Sequence, residues 1–110
     1  MKFIAGMIPT HGLIPRTYIN VNMLELEVVP SKKPNDDRWF IYTVGKGRKQ
    51  FSLIILNSEY QAERYVHFLI DYIAQQSTNY VLYTADINQA FRKYALPVAI
   101  QKEKDNALLL

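Results

Sequence analysis

The chain holds two histidines, His11 and His67, and no cysteine, and this bounds the chemistry it can carry. Disulfides, thiolate nucleophiles, iron–sulfur clusters and thiolate zinc sites are all excluded. Glu63, His67 and Asp71 recur at i, i+4 and i+8, so they share one stripe of a helix. An imidazole flanked by carboxylates can act as a base or ligate a metal. The HExxH arrangement needs two histidines, however, and this stripe has one. It reads as a solvated helix face with intrahelical pairs.

The other candidates for catalysis are weaker. Ser52, Ser58 and Thr84 lie in no GxSxG-type motif. Gly45-Lys46-Gly47-Arg48-Lys49 lacks the GxxxxGK[ST] pattern of a phosphate loop and joins two strands. Asp36-Asp37 stands beside prolines and lysines, where turn chemistry accounts for it. The expectation is a non-enzymatic protein with no catalytic residue, no cofactor and no metal.

Two groups of residues suit binding instead. Between Lys32 and Lys49 stand six basic residues (Lys32, Lys33, Arg38, Lys46, Arg48, Lys49) against Asp36 and Asp37. That segment carries +4 within a chain of net charge +3, leaving −1 elsewhere. Trp39, Phe40, Tyr42 and Phe51 interleave with these cations. Cations follow a phosphate backbone and aromatic faces stack on unpaired bases, so the mixture suits single-stranded nucleic acid. Charged hairpin tips and core aromatics are the commoner explanation of such a mixture, and no RNP1 pattern is present. The second group is on a helix. At 100° per residue, Phe68 points away from the apolar stripe, Tyr72 sits at its edge and Tyr60 lies nearly opposite. With Arg64 they form a second surface, either packed on the C-terminal helix or left for a partner. Aromatics and arginine are what interface centres enrich.

These residues must be positioned by a small fold. A chain of 110 residues has room for one core, and 49% hydrophobic with 13% aromatic residues supplies it. Residues 1–101 read as a single domain and 102–110 as a tail. The apolar opening Met1 to Pro9 is too short for a signal peptide, and no run approaches the ~20 residues of a membrane span. A reducing, cytoplasmic location is expected.

Met23 to Val29 alternates, with Leu24, Leu26 and Val28 on one side and Glu25 and Glu27 opposite: a strand with one wet face. Residues 38–44 and 50–56 form the strongest hairpin signal, both strands apolar on both faces. Ser58 and Gln61 have capping-box spacing. Ala62, Tyr65, Val66, Leu69, Ile70 and Ile73 then make an amphipathic stripe, predicting a helix over 58–76. A strand is expected over 79–83, a short helix from Asp86 ended by Pro97 at Leu96, and a last strand over 98–101. Strands first and helices later give an α+β fold with a mostly antiparallel sheet of short strands under one long helix. Function is expected to be protein–protein contact, self-association included, through Arg64, Phe68 and Tyr72. Nucleic-acid binding by Lys32, Lys33, Arg38, Trp39, Lys46, Arg48 and Lys49 is the alternative.

Overall fold

A computed structural model describes residues 2–7, 16–45, 48–76 and 81–109. It is α+β, with two three-stranded sheets and two helical segments. The first sheet has β1 (Phe3–Met7) between β2 (Arg16–Asn20), antiparallel, and β6 (Val81–Tyr83), parallel. The second places β4 (Trp39–Gly45) between β3 (Glu25–Pro30) and β5 (Arg48–Leu56), all antiparallel. A 3₁₀ turn (Val21–Met23) links the two, its entry capped by the Asn20 side chain. Residues 8–15, including His11, and residues 46, 47 and 77–80 lie outside the described residues.

The alternation of β3 sets its faces as expected. Leu26 pairs with buried Thr43 and Val28 with buried Ile41, whereas Glu27 stands opposite Tyr42 and Val29 opposite Phe40 on the outer face. The apolar run of β5 has a different cause from coverage on both sides. Ile54 pairs with Ile41 and Ser52 with Tyr42, so Leu53 is an extra residue without a partner on β4. This β-bulge resets the side-chain alternation, putting Leu53 and Ile54 both in the core while Ile55 and Ser52 face outward. A second irregularity follows between Tyr42 and Val44. There the buried Thr43 Oγ1 accepts from the Phe51 backbone N–H at 3.3 Å and donates to its carbonyl at 3.5 Å.

α1 (Glu59–Gln75) begins at Ser58, whose Oγ accepts from the Gln61 backbone N–H at 3.1 Å. The Gln61 side chain turns back as a capping box requires, although its Oε1 accepts from Asn57 rather than from Ser58. Ala62, Tyr65 and Leu69 are buried, and Val66 and Ile73 pack against the same core. Ile70 corrects the expected stripe: it is 57% exposed, at the mouth of an apolar hollow shared with Val21, Leu24 and Leu26. At the other end of α1, Lys2 Nζ donates to the Ile73 carbonyl at 2.8 Å, placing a cation at the helix C-terminus beside the bond that this carbonyl accepts from the Gln76 N–H.

The C-terminal region departs most from expectation. Helix starts at Thr84, not Asp86, and runs as α2 (Thr84–Ala90), a π-helical stretch (Phe91–Ala95) and α3 (Leu96–Leu108). Pro97 therefore does not end it, residues 98–101 are helix rather than strand, and 102–108 continue α3 instead of forming a tail. Proline in a helix lacks an N–H and clashes with the carbonyl four residues earlier. The wider π turn relieves this, since the Leu96 N–H bonds five residues back to the Phe91 carbonyl.

One core joins all these elements: Ile4 and Leu82 from the first sheet, Ile41 and Ile54 from the second, Tyr65 and Leu69 from α1, Ile87 and Phe91 from the C-terminal helix. Tyr65 and Phe91 meet edge-on at 5.1 Å. Among the described residues no helix is long and apolar enough to cross a membrane.

Candidate functional site

α1 carries two distinct faces because 3.6-residue periodicity separates them. Tyr60, Arg64, His67 and Asp71 lie opposite its core stripe and line one wall of an open groove together with Phe68, which, contrary to expectation, packs against the core. The other wall comes from the π stretch and α3, through Tyr94, Ala95, Val98, Ala99 and Lys102. Its volume is about 320 Å³. The helices run antiparallel here. Gln61 near the start of α1 donates its amide to Glu103 of α3 at 2.8 Å, while Phe68 further along stacks edge-on against Phe91 at 5.5 Å. Small Ala95 and Ala99 keep the floor low beside half-buried Phe68, and Tyr94 and Val98 rise from it 65% and 54% exposed.

The charged residues of the groove have no internal partners among the described residues. Helical neighbours of Arg64 at three and four residues are Tyr60, Gln61, His67 and Phe68, none acidic. Lys102 has Asp105 three residues on, yet the two form no ion pair; Asp105 Oδ1 accepts from the Gln101 amide at 3.0 Å. Among the described residues the one ion pair joins Arg38 and Asp36, and the side chains of Arg64, His67, Asp71 and Lys102 make no hydrogen bond. The expected Glu63–His67–Asp71 pairing is therefore not formed, and all three are exposed. Among the described residues no group of three or more His, Asp or Glu side chains could hold a metal ion.

Of the three residues singled out for protein contact, Arg64 and Phe68 meet in this groove. Tyr72 is not part of the groove lining: its ring lies 6.0 Å from that of Phe68, and both pack half-buried against the core. Tyr94, Val98 and Lys102 complete the site and were not foreseen. Their i, i+4, i+8 spacing was the available signal, hidden by reading Pro97 as a helix stop.

Of the nucleic-acid candidates, the described side chains are those of Lys32, Lys33, Arg38 and Trp39. Arg38 is engaged by Asp36 through Nε and Nη2, both at 2.9 Å, and its guanidinium lies over the Phe40 ring at 5.6 Å. Those hydrogen bonds, with a further one from Ser31 Oγ, hold the Asp36 carboxyl well below the usual carboxylate range. Trp39 points inward, paired with Leu56 and packed against the core. Lys32 and Lys33 are exposed in the loop before β4; Lys46 lies outside the described residues, as do the side chains of Arg48 and Lys49. Phe40 and Tyr42 stack on the outer face at 6.1 Å and 11°, beside Glu27.

No family model matches the chain, and neither a curated protein nor a solved structure is found to be similar to it.

Proposed function

We propose that this chain is a non-enzymatic interaction module that acts by docking another protein in the groove between α1 and α3. The observation that carries this reading is the convergence of exposed Tyr94 and Val98 with Arg64 and Phe68 along two antiparallel helices. Such a groove matches the way amphipathic helices are bound, by apolar anchors at helical spacing. Tyrosine and phenylalanine supply contact area, tyrosine and arginine hydrogen bonds, and all three are enriched at interface centres. The test is a photo-crosslinking side chain introduced at Val98 or at Arg64 in the cells that make the protein. Both positions are expected to yield the same protein adduct, lost on Tyr94→Glu and absent when the probe sits at exposed Gln89. Equal labelling from Gln89 would reject the reading.

A second reading, single-stranded nucleic acid on the outer face of the second sheet, has the parallel Phe40–Tyr42 pair in its favour. The carboxylates of Glu25 and Glu27 on that face oppose phosphate, which ranks it behind the first. Titration of labelled single strands at low salt tests it, with a steep loss of affinity as salt rises expected for phosphate contacts.

A further inference from the structure

The charge of the groove points to a particular class of occupant. Arg64 stands on the α1 wall and Lys102 on the α3 wall. The Gln61–Glu103 bond holds the turn before Arg64 against the turn that carries Lys102, so both cations serve the same end of the groove. Neither forms an ion pair among the described residues, and the one carboxylate in the groove lining, Asp71, stands two turns along α1 from Arg64. An exposed cation without an internal partner is the half of a charge pair that a bound carboxylate completes. Beyond the cations the floor turns apolar with Phe68, Ala95 and Ala99, and Tyr94 and Val98 form its exposed rim.

Building on the docking reading above, we propose that the occupant is an acidic amphipathic segment of another protein. Its apolar side chains lie on the Phe68–Ala95–Ala99 floor, and its Asp or Glu carboxylates lie between Arg64 and Lys102.

Selection of random displayed peptides against the immobilised chain tests this, because the peptides themselves reveal which chemistry the groove prefers. The selected peptides are expected to be rich in Asp and Glu beside aromatic or aliphatic residues, and to shift the amide resonances of α1 and α3 around Arg64 and Val98. Arg64→Glu combined with Lys102→Glu should weaken them by about tenfold or more, and replacing the peptide acids by lysine should restore binding to that variant. Both side chains are exposed, so the variant keeps its fold, checked by unchanged resonances in the sheets. Peptides that bind the groove with no acidic enrichment and no response to the charge reversal would overturn the acidic occupant while leaving the groove as a docking site. No selected peptide, or peptides whose shifts map away from Tyr94 and Val98, would overturn both.

Discussion

The side-chain amide of Asn88 donates to the backbone carbonyl of Leu53 at 2.7 Å, linking α2 to the bulged residue of β5. The same Asn88 accepts, through Oδ1, the hydroxyl of Tyr65 at 2.6 Å. A bulge that would leave a carbonyl unpaired is thereby closed by a side chain, which α1 in turn orients. The core face of α1, the C-terminal helix and the second sheet are thus fixed relative to one another, and the groove on the far side of α1 inherits that rigidity.

Removing Asn88 should therefore cost more than removing the Tyr65 hydroxyl. Asn88→Ala orphans both the Tyr65 O–H and the Leu53 carbonyl, at about 1–3 kcal/mol for each group left buried. Tyr65→Phe leaves a single acceptor, at about 1 kcal/mol. Burial pushes the Tyr65 phenol well above its ordinary value. Its contribution is complete below the unfolded value of about 10 and is lost as pH rises beyond it. Denaturant titrations above that pH should show wild type losing stability faster than Tyr65→Phe; parallel curves would contradict the network.

Leu69 and Ile70 are neighbours in sequence with opposite surroundings. Leu69 is 1% exposed, so Leu69→Ala should destabilise by about 2–5 kcal/mol through the cavity it leaves. Ile70→Ala should stay within about 0.5 kcal/mol, as surface changes do. Equal losses in urea unfolding would refute the register of α1.

Much of that register was legible in the sequence, and the exceptions have local causes. Ser58 and Gln61 marked the start of α1, and Leu69 its core face, because capping and periodicity act within a turn or two. The strand Glu25–Pro30 was equally plain from its alternation. Leu53 and Ile54 misled because a bulge and a two-faced strand produce the same run of apolar residues. Pro97 misled because the π stretch that accommodates it leaves no signature in residue types. The parallel pairing of β6 with β1 and the capping of α1 by Lys2 join residues more than seventy positions apart, beyond the reach of any local pattern. For the groove, Arg64 and Phe68 could be picked from one helix alone, but the wall of Tyr94, Val98 and Lys102 required the helix to pass through Pro97.

Gly6 is held against the second sheet by want of a side chain. A Cβ there would lie 2.5 Å from the ring of Phe51, which is itself buried and has little room to retreat. Gly6→Ala should destabilise by about 1–3 kcal/mol, as overpacked cores do. The double variant Gly6→Ala with Phe51→Leu should recover part of the loss in thermal unfolding. A neutral Gly6→Ala would mean that the sheets do not meet at this point.

The Arg38–Asp36 pair makes the turn before β4 sensitive to acid. The folded carboxyl titrates lower than the unfolded one, so its stabilisation is present above about pH 4 and fades as pH falls toward the depressed folded value. Asp36→Asn should therefore be less stable than wild type at neutral pH, with the gap closing in acid. A gap independent of pH would show that the charge of Asp36 plays no part in holding the turn.

Hydrogen exchange along the chain, with and without the protein captured from Val98, tests the docking groove most directly. The bound partner is expected to slow amide exchange in residues 60–71 and 94–102 and to leave β3 and β4 as they were. Val98→Glu, at an exposed site, should abolish this protection while the exchange of the free protein stays unchanged. Protection confined to the strands and the loop of Lys32 and Lys33, with α1 and α3 exchanging as before, would contradict it.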